Sequence, residues 1–219
     1  MNKKESYNKR PYNSKRRRMQ ADQTRLLIVE AARKLFSERG YTGATIEAIA
    51  QEAGVAAETV YAAFGNKREI LSKLIDVSVV GDDQPIPLLQ RAGPLSVMQE
   101  KNPHRQIEIF SHDIFEIMSR MAPIFEIMRI AAKTEPEISD ILQQILKSRY
   151  HGMEKFIQYL STNITLQEDL TPAEAVETVW AITSAELYNL LTVDRGWSGE
   201  QYEQWLAKTL KKILLEANQ

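Results

Sequence analysis

The feature that most constrains this chain is a short stretch, residues 45–64, with the pattern of two helices joined at Gly54. Glycine adopts a positive φ at little cost and so permits a sharp corner there. The spacing is typical of a helix-turn-helix, whose second helix keeps its outer side chains available for a partner. The residues that form the apolar faces at helical spacing are Ile46, Ile49, Ala50 and Ala53 before the corner, and Val60 and Phe64 after it.

The outer side of the second helix carries small and polar side chains: Ala56, Ala57, Glu58, Thr59 and Tyr61. This set fits the major groove of DNA better than a protein core. The methyl groups of Ala57 and Thr59 suit thymine methyls, and Glu58 is able to accept a hydrogen bond from cytosine N4. Because phosphates repel a carboxylate, a Glu58 that turns toward solvent is the alternative.

Helical patterns also flank this stretch. Downstream, Asn66 with Glu69 three residues later resembles a capping box and begins another helix. Upstream, a helical pattern stops at Gly40, a residue that suits the left-handed position after a helix end. The apolar residues of that upstream helix are Leu27, Ile28, Ala31, Ala32, Leu35 and Phe36. Three helices therefore make a small domain, and the fourth leaves it.

As a set, these segments resemble the tetracycline-repressor (TetR) family over roughly residues 22–75. The matching motifs are Thr24-Arg25, Ala31-Ala32-Arg33-Lys34-Leu35-Phe36, Gly40-Tyr41, Thr45-Ile46, Ile49-Ala50, Ala53-Gly54-Val55, Thr59-Val60-Tyr61 and Phe64-Gly65-Asn66-Lys67. The resemblance implies an all-α fold, with an N-terminal three-helix helix-turn-helix domain followed by a C-terminal helical bundle. It also implies a transcriptional regulator, a repressor that binds a palindromic operator in double-stranded DNA as a homodimer and is released by a small, mostly apolar effector.

The resemblance assigns DNA-contacting roles to single residues. Thr45 is expected to contact a phosphate at the start of its helix, and residues 56–59 are expected to face bases. Tyr61 and Lys67 are expected to hold the DNA backbone, and Arg25 of the first motif joins this set.

Alternatives remain for two of these residues. The Tyr61 ring is also suited to pack half-buried on the next helix, and Lys67 to lie solvated in a first helical turn. The chain departs from the family at Ala56, where a hydroxyl residue is common, and at residues 62–63, where larger polar or aromatic side chains are common. Fewer direct phosphate bonds are therefore expected from this helix.

The charges are unevenly distributed. Residues 1–76 hold 15 Lys and Arg against 9 Asp and Glu, a net charge of +6, whereas residues 77–219 hold 13 against 20, a net charge of −7. Much of the basic excess lies in residues 1–18, and a segment this poor in apolar residues is expected to be flexible. Such an arm either follows phosphates or enters a minor groove, and a solvated tail is the alternative. The candidate arm residues are Arg16, Arg17 and Arg18.

These patterns predict four parts of the chain. They are a flexible basic arm at residues 1–21, a helix-turn-helix domain at 22–66, a connecting helix at 67–80, and a ligand-sensing and dimerisation domain at 81–219. From residue 81 to 103, prolines and glycines interrupt the apolar spacing, which favours a connector over a long helix.

The last part shows helical spacing without strand-like alternation, which predicts a helical bundle. Pro123 is expected to start a new helix, and a long amphipathic helix follows Pro136. The helix that begins at Thr171 is expected to end near Gly196. The two capping boxes that mark helix starts are Thr171 with Glu174, and Ser198 with Gln201.

By the resemblance, the last two long helices pair with their copies in a second subunit to form a four-helix interface. Their apolar stripes suit that role, although burial within one subunit produces the same stripes. The candidate interface residues are Val176, Val179, Leu187, Leu190, Trp205, Leu206, Leu210, Ile213 and Leu214.

A ligand pocket in the bundle also follows from the resemblance. Aromatic and thioether side chains adapt to apolar molecules, although the same residues at helical spacing make ordinary core. The candidate pocket residues are Phe115, Met118, Met121, Phe125, Met128, Tyr150, Met153, Trp180 and Thr183.

Composition argues against several other classes of protein. The 219 residues include no cysteine, which excludes disulfides, thiolate metal sites and cysteine nucleophiles. The three histidines lack close metal-binding spacing, and no glycine-rich phosphate loop is present, so no metal, cofactor or enzyme activity is expected. No apolar run approaches the roughly 18 residues of a membrane span, so we expect a cytoplasmic protein without a membrane partner. The rival interpretations are a constitutive architectural DNA-binding protein without an effector, and a helical-bundle enzyme.

Overall fold

The computed structural model describes residues 12–215, with side chains from residue 16 onwards. Within that range every regular element is helical, which confirms the predicted all-α class. The chain forms two compact units, residues 1–74 and 75–219. The first holds the helix-turn-helix, and the second is a helical bundle.

The first unit contains three helices and the start of a fourth: α1 (Tyr12–Gly43), α2 (Ile46–Ala53), α3 (Ala57–Phe64) and α4 (Lys67–Val80). All four helices contribute to one core. Its members with at most 1% exposure include Ile28, Leu35 and Phe36 of α1, Ile49 of α2, Val60 of α3, and Ile70 and Leu71 of α4. The apolar faces predicted from helical spacing therefore meet in this core.

Residues 12–21 lie in α1, which differs from the flexible arm expected there. The chain from residue 12 to 39 contains neither glycine nor proline, and Arg, Lys, Gln, Met and Ala are good helix formers. Within the same helix, Thr24 Oγ1 donates a hydrogen bond to the Gln20 carbonyl at 2.9 Å. High net charge therefore does not prevent helix formation here. Residues 1–11 of the expected arm lie outside the described residues.

The corner between α2 and α3 depends on Gly54, which has the left-handed conformation φ 68°, ψ 30°. Its N–H donates to the Gln51 carbonyl at 3.2 Å, and the Val55 N–H donates to the Ala50 carbonyl at 3.0 Å. These bonds satisfy carbonyls at the end of α2. Gly40 also has a positive φ, 69°, and kinks α1 where the sequence predicts a helix end.

The second unit contains the helices α5 (Ala92–Gln99), α6 (Pro103–Ala131), α7 (Pro136–Leu160), α8 (Pro172–Ile182), α9 (Ala185–Asn189) and α10 (Gly199–Leu214). Helix α6 is central because it packs against α5, α7, α9 and α10. Both predicted capping boxes are present, at Thr171 with Glu174 and at Ser198 with Gln201.

Two proline-containing segments differ from the sequence expectation. Pro123 lies inside α6, so the predicted helix start at that position is wrong. Proline removes one backbone hydrogen bond, but the buried neighbours Met121 and Ile124 keep the helix packed on both sides of it. In the expected connector, Pro94 lies in the first turn of α5, where a helix tolerates proline.

The helix that begins after Thr171 stops at Ile182 instead of continuing toward Gly196. Thr183 Oγ1 donates to the Val179 carbonyl at 2.7 Å, and Ser184 caps the next helix, α9. Serine and threonine side chains compete with helical backbone bonds, which explains a break that apolar spacing does not reveal. A π-helical turn at Leu190–Asp194 follows α9.

None of the helices between residues 12 and 215 combines the length and the apolar character that a bilayer crossing requires.

We predict that Gly54→Ala destabilises the corner, because an L side chain is strained at this positive φ. Amides of α2 and α3 should exchange with solvent roughly 5- to 30-fold faster, as expected for a strain of about 1–2 kcal/mol. Hydrogen-exchange mass spectrometry measures this. The control is Gly152→Ala inside α7, where an added Cβ meets nothing within 4 Å and the helix should be stabilised. Unchanged exchange in Gly54→Ala would contradict the role of this corner.

Candidate nucleic-acid interface

The outer face of α3 is open to solvent, as its sequence predicts. Val60 and Phe64 turn inward and are 0% and 7% exposed. On the outer side, Ala56, Glu58, Thr59 and Tyr61 are exposed, and Ala57 is half-buried. The Tyr61 side chain is 49% exposed, so it is accessible to a partner. We call this outer side of α3, residues 56–59 and Tyr61, the reading face.

Thr45 lies at the N-terminus of α2 and is its N-cap. Its Oγ1 accepts a hydrogen bond from the Ala48 N–H at 3.1 Å, and the residue is exposed. A hydroxyl that accepts one bond is still able to donate its own proton. Thr45 is therefore suited to donate to an anionic oxygen near the positive end of α2.

Arg25 contacts the end of α3 within the protein. Its Nη1 donates to the carbonyl of Ala63, and its guanidinium lies 4.4 Å from the centre of the Phe64 ring. Both contacts join α1 to the last turn of α3. Arg25 therefore positions the reading face, a role that its place in a sequence motif did not reveal.

Lys67 has a similar role at the start of α4. This helix begins after Asn66, whose Oδ1 accepts from the Glu69 N–H at 2.9 Å. Lys67 Nζ donates to the carbonyl of Tyr41 at 2.7 Å and lies 4.3 Å from the centre of the Tyr41 ring. The residue is half-buried, which argues against the solvated alternative. Lys67 thus ties α4 to the end of α1.

The three arginines of the expected arm are exposed on α1: Arg16, Arg17 and Arg18. Successive residues of a helix point about 100° apart, so three consecutive arginines spread their charge around the helix instead of forming one stripe. Elsewhere in this unit a cation is already paired, because Lys34 Nζ lies 2.7 Å from Glu52 Oε1. That hydrogen bond raises the pKa of Lys34.

Two of the ligand-pocket candidates of the second unit line separate cavities. Most of the candidates are buried in the bundle: Met118, Met121, Phe125, Met128, Met153 and Thr183. The other three are half-buried: Phe115, Tyr150 and Trp180. Met153 lines an apolar cavity of about 90 Å³ between α5, α6 and α7, and Phe125 lines a separate opening of about 190 Å³ beside Arg129.

Most of the walls of the apolar cavity come from residues that sequence reasoning did not select. Phe110 and Phe156 stack there with ring centres 3.7 Å apart, and Val97 also lines it. Asp113 borders the same cavity, and burial raises its pKa to about 6. Apolar spacing marks most of these positions as inward, but it does not distinguish a cavity wall from a filled core.

Five of the interface candidates are buried within one subunit, with at most 6% exposure: Val176, Val179, Leu206, Leu210 and Leu214. They belong to the core of the bundle and are not accessible to a second subunit. The other four remain partly or fully exposed: Leu187, Leu190, Trp205 and Ile213. An interface through α9 and α10 therefore depends on this smaller set, next to Val193, which is 70% exposed.

Two of the histidines contact carboxylates. His112 Nδ1 lies 3.2 Å from Glu203 Oε1, and His151 Nδ1 lies 3.0 Å from Glu154 Oε2. Across the part of the chain that the structure describes, histidine and carboxylate side chains form no group of three suited to hold a metal ion.

Comparison with known proteins identifies relatives of the first unit. The family model described as "Bacterial regulatory proteins, tetR family" matches residues 28–74. The HTH-type transcriptional regulator TtgR of Pseudomonas putida is 39% identical over 62 residues, which are 28% of this chain and 30% of TtgR. The chain thus matches less than a third of the length of this curated relative.

Solved structures are similar over most of the chain. A transcriptional regulator from Saccharomonospora viridis in complex with choline aligns with a TM-score of 0.66 and 18% identity, over 89% of this chain and 99% of the other. The SmeT–triclosan complex aligns with a TM-score of 0.64 and 20% identity, over 89% and 93% of the two chains. At these identities the likeness establishes the fold of the chain.

We predict that Arg25→Ala loosens the last turn of α3, because it removes a charge-assisted hydrogen bond and a cation–π contact worth about 1–3 kcal/mol together. Exchange of the α3 amides should be roughly 5- to 100-fold faster, measured by mass spectrometry. Arg18→Ala, which changes an exposed arginine on the same helix, is the matched control and should leave this exchange unchanged. Equal exchange rates in the two variants would show that Arg25 does not position the reading face.

Proposed function

We propose that this chain, which belongs to the tetR family of bacterial regulatory proteins, is a transcriptional regulator that binds a two-fold symmetric operator as a homodimer and is released by a small, mostly apolar effector. The observation that carries this proposal is the exposed reading face on a short helix whose other side is packed in the core. The proposed division is a helix-turn-helix domain at residues 22–66, a connecting helix at 67–80 and a sensing domain at 81–219.

The dimensions of α3 support its placement in a major groove. A helix with its side chains is about 10–12 Å in diameter, which matches the groove width of about 12 Å, and the eight residues of α3 make it about 12 Å long. Small side chains at Ala56 and Ala57 allow a close approach of the helix to the base edges. In this pose Ala57 and Thr59 contact thymine methyl groups, while Thr45 and Tyr61 donate hydrogen bonds to phosphates.

The positive charge of the first unit supports phosphate binding. The exposed Arg16, Arg17 and Arg18 add cations outside the reading face, and each phosphate neutralised releases counterions from DNA. Arg25 and Lys67 act mainly by positioning the helices, since both are engaged within the protein.

A homodimer is proposed through α9 and α10. Exposed apolar side chains follow the break after α8, with Leu190 49% and Val193 70% exposed. Covering such side chains is favourable, because it removes apolar surface from water. A two-fold axis also gives one reading face to each half of a palindrome.

Regulation requires an effector that binds two arrangements of the protein unequally. The small apolar cavity beside Met153 and the two ligand-bound proteins of similar fold support an effector site in the second unit. Helix α4 begins in the first unit and ends in the second, so it is the covalent element through which such a site acts on the reading face.

The proposed function is tested by selecting bound fragments from genomic DNA with the full chain. We expect the recovered sites to show two-fold symmetry and to retain roughly a thousand-fold preference over random DNA. Comparable affinity for random competitor DNA would instead identify an architectural DNA-binding protein.

We predict different effects for two residues of the reading face. Tyr61→Phe removes one phosphate donor and should weaken binding to all sequences alike, by roughly 2- to 10-fold. Thr59→Ser keeps the hydroxyl but removes the methyl group, and should weaken the preference for thymine at one operator position. Gel-shift titrations against a panel of single-base operator variants measure both effects. Tyr159→Phe in the second unit is the control, and a Tyr61→Phe variant that altered only preference would overturn the assigned roles.

A further inference from the structure

Three buried polar atoms of the second unit have no hydrogen-bond partner among the described residues: Arg149 Nε, Trp180 Nε1 and the Tyr202 hydroxyl oxygen. All three atoms are shielded from solvent. The two nitrogens are donors only, and the hydroxyl is also able to donate. A buried donor without an acceptor loses its hydrogen bonds to water without replacement, so native proteins rarely leave several such donors.

Arg149 and Trp180 are in contact, and Tyr202 lies close enough to Arg149 to interact with it electrostatically. The Arg149 guanidinium lies 4.9 Å from the centre of the Trp180 ring, and its Nη2 donates to Thr183 Oγ1 at 2.9 Å and to the Trp180 carbonyl. Tyr202 of α10 is 0% exposed. Burial lowers the pKa of Arg149 to about 10 and raises the pKa of Tyr202, and each group also shifts the pKa of the other.

This neighbourhood contains a cation without its own carboxylate. Glu186 is an acidic side chain that acts on Arg149 electrostatically, but it forms an ion pair with Arg129. The hydrogen-bond partners that Arg149 does have are neutral oxygens. Arg149 is half-buried, and a partly desolvated cation is stabilised by an anion. A guanidinium is well matched to a carboxylate.

An apolar cavity is linked to this cation through Thr183 and Met153, although none of the three donors is in its lining. Met153 Sδ is 3.7 Å from Thr183 Oγ1, the hydroxyl that accepts from Arg149. The same methionine lines the apolar cavity of about 90 Å³ that contains the stacked Phe110 and Phe156 rings. Methionine side chains rearrange readily, so Met153 is the adjustable wall between the cavity and the unpaired donors.

We propose that Arg149, Trp180 and Tyr202 bind the carboxylate of a small amphipathic acid whose apolar body occupies the cavity beside Met153. The acid supplies the acceptor oxygens that the three donors lack, and its charge balances Arg149. That this acid is also the effector rests on the proposed function, whereas the carboxylate site itself does not.

Calorimetric titration of the full chain at pH 7, without DNA, tests the site with matched ligands. Hexanoate is compared with 1-hexanol, and benzoate with benzyl alcohol, so that each pair differs mainly in charge. We expect the acid of at least one pair to bind roughly ten- to a hundredfold more tightly than its alcohol, as hydrogen bonds to charged groups imply. Equal affinity within both pairs would overturn the proposal.

Arg149→Met removes the charge and keeps an apolar side chain in its place, so it should abolish the preference for the acid. Arg195→Met, which changes an exposed arginine of the same unit, is the control and should preserve the preference. A persisting preference in a folded Arg149→Met protein would contradict the assignment.

Tyr202→Phe keeps the test decisive if the arginine variant does not fold. It removes only the unpaired hydroxyl, so the unliganded protein should keep or increase its thermal stability. The affinity for the acid should nevertheless fall roughly 2- to 10-fold, while the affinity for the alcohol should not change. If Tyr202 had a purely structural role, the variant would not lose acid affinity while keeping its stability and its alcohol affinity. An unchanged acid affinity would show that Tyr202 is not part of the site.

Gel shifts with selected operator fragments separate this inference from the proposed function. Acid-selective binding by a chain that ignores DNA would refute only the proposed function, whereas operator binding without acid selectivity would refute only the carboxylate site. Release from the operator by the preferred acid, lost in Arg149→Met, is the result expected if the acid is the effector. Release that persists in Arg149→Met would place the effector elsewhere.

Discussion

The reading face depends on how α3 is held by the other helices of its unit. Gly54 turns the chain at a left-handed corner, and Val60 and Phe64 bury the inner side of α3. Arg25 then binds the last turn of α3 from α1, and Lys67 binds the end of α1 from α4. The sequence motifs suggest that Arg25 and Lys67 contact DNA, but both side chains are engaged within the protein. There they fix the position of the helix that carries the reading face.

The second unit differs in that several of its buried polar atoms have no hydrogen-bond partner among the described residues. Three of the four buried side-chain atoms without a hydrogen-bond partner in the described residues lie there, and the fourth is Arg68 Nε in α4. In a core selected for stability alone, apolar groups would replace such donors at little or no loss. Their presence beside the adjustable Met153 is consistent with a bundle whose interior is completed by a ligand.

The sequence predicted the elements that have strong local causes, such as the corner at Gly54 and the helix start at Thr171. It predicted poorly where packing overrides a local rule, since Pro123 remains inside α6 with buried neighbours.

The prediction of functional sites has the same limit. An apolar stripe does not indicate whether its partner lies in one subunit or in two, so the buried Leu206 was assigned to an interface. Likewise, no local sequence pattern reveals that Arg149 Nε is buried without a hydrogen-bond partner, because its surroundings come from residues distant in sequence.

A route from the apolar cavity to α4 runs along α6, which contributes Phe110 to the cavity wall. The same helix carries Arg120, whose Nε donates to the Ser78 carbonyl near the end of α4 at 2.8 Å. In the proposed regulation, a ligand that shifts α6 acts through this bond on α4, whose first residue, Lys67, is bonded to the Tyr41 carbonyl of α1. A ligand that fits two arrangements equally well shifts neither, however tightly it binds. For the proposed effector to act from this cavity, the cavity must therefore differ between the two arrangements, and Met153 is a flexible side chain in its wall that could provide the difference.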